Sequence, residues 1–137
     1  MTPEDIACVE GSLRELEDRL DGVADRFYDG LFAAHPDLRA LFPTDLHQQR
    51  AKFAAQLREL LTAIRDLDVF VRTGRELGAQ HRAYGVQSRH YAQAAGPLLD
   101  SLAEELGERW TDEVAHAWHR GYALVAEVMQ QGAARTR

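Results

Sequence analysis

Cysteine is almost missing from the 137 residues: Cys8 stands alone, so no internal disulfide can close and no thiolate metal cluster can assemble. Any metal must then be held by histidine, carboxylate or a cofactor. Basic charge is short as well. Sixteen Lys and Arg against 22 Asp and Glu leave a net charge of -6, which opposes a phosphate backbone and argues against nucleic acid as a partner. Long uncharged apolar runs are absent, and the start, MTPEDIACVEGS, has neither a basic nor an apolar leader region, so neither membrane insertion nor a signal peptide is expected. A cytoplasmic location follows as the expectation. The chain also lacks alternating β-branched runs and hairpin dipeptides such as Asn-Gly. Missing too are a GxSxG elbow, a Gly-rich phosphate loop and a pair of histidines four apart around a glutamate; His116 and His119 are only three apart. His35, His47 and His90 add no such pair, so a two-histidine metal site is a poor alternative.

What remains is 45% hydrophobic and 28% charged, the mix of a globular chain, and residues 1–137 are read as one domain. Its pattern is helical throughout. Thr2, Pro3 and Glu4 read as an N-cap, a first helical residue and a first-turn acid, followed by a stripe of Ile6, Val9, Leu13, Leu16 and Leu20. Gly22 interrupts before a second helix with Val23, Phe27, Tyr28, Leu31 and Phe32. His35 and Pro36 end that helix, Pro36 starts a short turn through Leu38 and Leu41, and Phe42-Pro43 bends the chain. Thr44 or Asp45 caps a third helix carrying Leu46, Gln49, Phe53, Leu57, Leu60, Leu61 and Ile64. Asp66 and Asp68 flank a break before a helix over 69–83. From Ser88, Tyr91, Ala95, Leu98, Leu99, Leu102 and Leu106 form another stripe closed by Gly107. Pro97 sits inside that run and should either kink the helix or mark its true first turn. Thr111 opens the last helix, with Val114, Trp118, Gly121, Tyr122, Val125 and Met129 on one side. The fold class is all-α with six to eight helices.

The stretch LGAQHRAYGVQSRHY, Leu77 to Tyr91, draws the eye because Leu77 and Gly74 share the face of His81 one and two turns earlier. Gly85 can end that helix and Ser88 can cap the next. Tyr28, Phe42, Gln49 and His81 lie on separate helices and are weighed together, since a site is recognised by convergence. Singly, each has a plain structural reading: a core tyrosine, a packing phenylalanine, a glutamine at the edge of a solvated face, a structural histidine.

Together these residues resemble a known family. FYDGLFAAHPDLRALFP, HQQRAKF, LGAQHRAYGV followed by Tyr91, and AHAWHRGYALVAEV are similar, in order and along nearly the whole chain, to bacterial globins, above all the haemoglobin domain of flavohaemoglobins and their single-domain counterparts. The resemblance implies a globin fold around a haem b pocket. His81 becomes the proximal iron ligand, Phe42 stacks on the porphyrin, and Tyr28 with Gln49 stabilises bound gas from the distal side. Phe53 narrows the pocket where the family more often has leucine, and Lys52 reaches a propionate. Leu77, Val86 and Tyr91 complete the cofactor contacts.

Two departures accompany the match. Flavohaemoglobins continue into flavin and nicotinamide domains, whereas here no such nucleotide signature occurs, so an external flavin reductase is implied. The family's last helix tends to place a glutamate against the ligating histidine; counting eleven on from Tyr122 gives Ala133 instead, which implies a more ordinary histidine. The implied function is reversible binding or transport of O2, with NO and CO as further ligands, and nitric oxide dioxygenation as an activity. A gas sensor acting through a partner or a homodimer interface is the alternative, and a haem-free helical domain the third.

Overall fold

Thr2 begins the first helix through a reciprocal cap: its hydroxyl accepts the Asp5 amide at 3.1 Å, and the Asp5 carboxylate accepts the Thr2 amide at 3.0 Å. Glu4 is a first-turn acid as expected, and Asp5 is the acid that completes the cap. The computed structural model describes residues 1–42 and 45–135. Helices run in the order α1 Pro3–Leu16, α2 Leu20–Ala34, α3 Leu46–Thr62, α4 Leu67–Ala83, α5 Ser88–Leu106 and α6 Asp112–Ala134. Two 3-10 turns, Pro36–Leu41 and Gly107–Arg109, join α2 to α3 and α5 to α6. No strand occurs among the described residues, and none of their helices is long and apolar enough to cross a membrane. The bend expected at Pro43 and the alternative cap at Thr44 lie outside the described residues; Asp45 does cap α3, accepting the His47 amide at 2.9 Å.

The apolar stripes meet in one core. Val9 and Leu16 of α1, Val23, Phe27 and Tyr28 of α2, Leu60 and Leu61 of α3, Phe70 of α4, Leu102 of α5 and Trp118 of α6 are all buried there. Each such side chain contributes about 1.5–3 kcal/mol relative to exposure, so the amphipathic stripes dictate which helix faces meet. The most extensive helix contact is α4 on α6, followed by α2 on α5 and α1 on α6.

Four local expectations are corrected. Gly22 does not separate α1 from α2 but lies inside α2, where a Cβ would come within 2.7 Å of Glu105 Oε1; it is small because α5 passes close by. The helix bearing His81 begins at Leu67 rather than 69, since the Asp66 carboxylate accepts the Val69 amide and caps it two residues earlier. Ser88 is the first residue of α5, not its cap: Gln87 takes that position, and its amide donates to His90 Nδ1 at 2.8 Å. Pro97 does not start α5, which runs unbroken through it; Ser101 Oγ donates to the Pro97 carbonyl at 2.6 Å. The missing proline N–H removes one helical bond, and packing on both sides outweighs that loss.

Candidate functional site

α4 ends in a way that fixes its last turn tightly. The Val86 amide donates to the His81 carbonyl at 3.0 Å and the Gly85 amide to the Arg82 carbonyl at 2.9 Å, the paired bonds of a Schellman cap. Gly85 supplies the left-handed backbone this cap requires, at φ 96°. The carbonyl of His81 is therefore held by the cap while its side chain lines a cavity of about 440 Å³ to which all six helices contribute.

Every site residue expected from the sequence lines that one cavity: Tyr28, Phe42, Gln49, Lys52, Phe53, Leu77, His81, Val86 and Tyr91. They come from four helices and two connecting segments, separated by up to 63 positions in the chain (91 − 28). The lining is overwhelmingly apolar. Among the described residues Lys52 is the one Lys or Arg in the lining, and no carboxylate lines it.

The His81 imidazole is half-buried, and Nδ1 lies 2.7 Å from the Leu77 carbonyl. A carbonyl can only accept, so Nδ1 carries the proton and Nε2 is left with a free lone pair. Burial lowers the pKa of the ring, the Leu77 bond opposes that, and the nearby Lys52 ammonium lowers it further. A neutral imidazole with an uncommitted Nε2 at an apolar wall is suited to ligate a metal that arrives with its own scaffold. No group of three or more His, Cys, Asp or Glu among the described residues could hold a bare metal ion.

Tyr28 is 2% exposed. Burial pushes its phenol pKa up, and the Gln49 bond and Arg50 pull back less, so the hydroxyl stays protonated. Gln49 Nε2 donates to the Tyr28 oxygen at 3.2 Å, which leaves the phenolic proton free to be donated into the cavity. Aromatic rings hold Tyr28 in place. Phe42 and Phe53 meet it edge-on at 5.4 Å and 5.7 Å, and Phe53 stacks on Phe27 at 4.8 Å. At the rim the Lys52 ammonium lies 5.4 Å over the Tyr84 ring, bridging α3 to the corner after α4.

On the α5 side, the Tyr122 hydroxyl donates to the Tyr91 carbonyl, while the Tyr91 hydroxyl is buried with no hydrogen-bond partner. Burial raises both phenol pKa values. Ala133, the counted position, offers only its carbonyl, which accepts from Arg82 Nη1 at 3.1 Å. Glu127 is exposed to solvent. His81 Nδ1 thus has a backbone partner in place of a carboxylate.

Tyr84, His90, Trp118, Tyr122 and Met129 also line the cavity without having been singled out for it. Trp118, Tyr122 and Met129 read as ordinary members of the α6 stripe, and Tyr84 is too exposed to leave a pattern. His90 alone carried a signal, its three-residue spacing from the cap Gln87, with a histidine in the place usually taken by Glu or Gln.

A family model described as Globin matches residues 25–129. The chain is 30% identical over 132 residues to a flavohemoprotein of Bordetella pertussis, covering 94% of this chain and 33% of that protein. It is 23% identical over 125 residues to a flavohemoprotein of Bacillus subtilis, covering 89% and 31%. The chain therefore spans about a third of the length of the curated relatives it matches. Among solved structures, a hexacoordinated heme protein from an anhydrobiotic tardigrade superposes with a TM-score of 0.90 at 17% identity, covering 98% of this chain and 96% of that one. An engineered carbene transferase, built on a Rhodothermus marinus protein provisionally described as a nitric oxide dioxygenase, gives 0.89 at 24% identity and coverage of 98% and 94%. At these identities both likenesses concern the fold.

Proposed function

Because the chain belongs to the globin family, we propose that its cavity holds haem b and that the protein binds O2, NO and CO reversibly. The observation that carries this reading is the free Nε2 of His81 at the wall of an apolar cavity that Tyr28, with its hydroxyl held by Gln49, also lines. The residues fit the group: a flat hydrophobic macrocycle needs an apolar slot, one neutral axial imidazole and a cation at the rim. When bound, the haem would supply an iron able to coordinate an imidazole and a diatomic gas.

His81 would ligate the iron, its ring oriented by the Leu77 carbonyl. Phe42, Leu77, Val86 and Tyr91 would hold the ring system, and Lys52 would leave Tyr84 for a propionate. Tyr28 would donate a hydrogen bond to the gas molecule, with the Gln49 amide donating to the phenol oxygen. Phe53, wedged between Phe27 and Tyr28, limits the space beside that donor to small molecules. With no carboxylate on Nδ1, His81 stays an ordinary imidazole, which supports reversible binding over peroxidase-like chemistry.

Nitric oxide dioxygenation is the second reading, favoured by the likeness to flavohemoproteins along 94% of this chain. It joins NO and O2 to nitrate at the expense of one electron, which a flavin reductase outside these residues has to supply. We read residues 1–137 as one globin domain performing this role.

Absorption spectra in the ferric, ferrous and CO-bound forms test the reading. The purified or haemin-reconstituted protein is expected to show a Soret band that moves on reduction and again under CO, and His81→Ala to lose the haem or its fixed coordination. A protein that stays colourless with haemin, or spectra unchanged in His81→Ala, would overturn it. NO consumption with and without a flavin reductase separates binding from turnover.

A further inference from the structure

Between α4 and α6 the two backbones touch. A Cβ on Gly78 would lie 1.8 Å from the Met129 carbonyl oxygen and 2.4 Å from its carbon. A Cβ on Gly132 would lie 2.0 Å from the Arg75 carbonyl oxygen. The contacts are reciprocal: each helix sets a glycine against a carbonyl of the other. Arg75 and Gly78 share one helix face at a spacing of three, as do Met129 and Gly132. Cα–H···O contacts of this kind recur where helices approach closely, and no larger residue fits them. Gly74 differs, since a Cβ there would meet a side chain, Val128 Cγ1, at 2.7 Å.

The contact bears directly on His81. Gly78 precedes it by three residues, and the peptide unit that ends at Gly78 begins with the Leu77 carbonyl, the group that accepts from His81 Nδ1 at 2.7 Å. Met129, whose carbonyl lies against Gly78, also lines the cavity that His81 lines. Position is thus passed from the α6 backbone to the Leu77–Gly78 peptide and from there to the imidazole. No carboxylate of α6 reaches the ring to do this.

We infer that the reciprocal contact of Gly78 and Gly132 across α4 and α6 is the positioning device for the His81 imidazole, setting its height and rotation in the cavity. The inference rests on the reading of His81 as a haem ligand. Gly78 and Gly132 are positioning residues and touch no ligand themselves. Side-chain ties beside them, Arg75 Nη2 to Gln131 Oε1 at 3.1 Å and Arg82 Nη1 to the Ala133 carbonyl at 3.1 Å, are secondary.

The iron–histidine stretching band of the haemin-reconstituted, reduced, gas-free protein, read by resonance Raman, tests this. Gly132→Ala is expected to shift and broaden the band; Gly132 is two residues from the end of α6, so the last turn can give way and the protein still fold. Gly74→Ala is expected to leave the band in place. Arg75→Ala combined with Arg82→Ala removes the side-chain ties, keeps the glycine contact, and is also expected to leave it unmoved. An unshifted band in folded Gly132→Ala, an equal shift in Gly74→Ala, or a shift in the double arginine variant overturns the inference. A wild-type protein with haem but no such band refutes the ligand assignment itself, and is told apart from those outcomes because it needs no variant.

Discussion

Tyr28 shows how much a single side chain gains from its neighbours. Its phenol is buried among Phe42, Phe53 and Phe32, so water cannot compete for the proton, and the Gln49 amide occupies the oxygen and leaves that proton to the cavity. A buried hydrogen bond to a partly charged acceptor is worth about 1.5–3 kcal/mol, so Tyr28→Phe is expected to speed O2 release by about 10- to 100-fold. CO draws little on a donor, and its release should scarcely change. Stopped-flow displacement of both gases checks this; equal effects on both would mean that Tyr28 does not address the ligand. Tyr28, Gln49 and His81 were legible as a set only through the family resemblance, because each alone reads as an ordinary helical residue. The direction of the Gln49 bond was not, because it depends on the distance between two helices 21 positions apart.

At the scale of the element, α4 carries the most consequence. Asp66 at its start and Gly85 past its end are both visible in the sequence, and the structure uses each as punctuation. Gly85 stands at φ 96°, and a Cβ there would also touch Leu41 Cδ2 at 3.4 Å. Gly85→Ala is expected to cost about 1 kcal/mol in urea unfolding, and to weaken haem retention by loosening the cap that holds the His81 carbonyl. Unchanged stability would mean that the corner can adopt another turn. Reading by element also explains the misplaced boundaries. Gly22 and Pro97 are poor helix residues locally, and both sit inside helices because α2 and α5 pack on each other there, with a Cβ on Gly30 coming within 3.7 Å of Pro97. Tertiary burial outweighs propensities of about 1–3 kcal/mol per residue.

For the whole molecule, an apolar cavity of about 440 Å³ is a stability deficit until something fills it. A cofactor that binds only the folded state stabilises it by mass action, about 4 kcal/mol when present at a thousand times its Kd. Haemin is therefore expected to raise the Tm of the apoprotein by roughly 10 °C in differential scanning calorimetry, and to raise that of His81→Ala by much less. Equal rises would show that the cavity binds the macrocycle without the imidazole.

Helical class and the caps at Thr2 and Thr111 could be reached along the chain, since periodicity and end chemistry are properties of neighbours in sequence, whereas the nine cavity residues were reached only through the family resemblance. That those nine residues line one cavity, that the Gln49 amide leaves the phenolic proton free, and that two glycines bring α4 against α6 were settled only by packing. Such distances between elements depend on which faces exclude water together, and no local pattern encodes them.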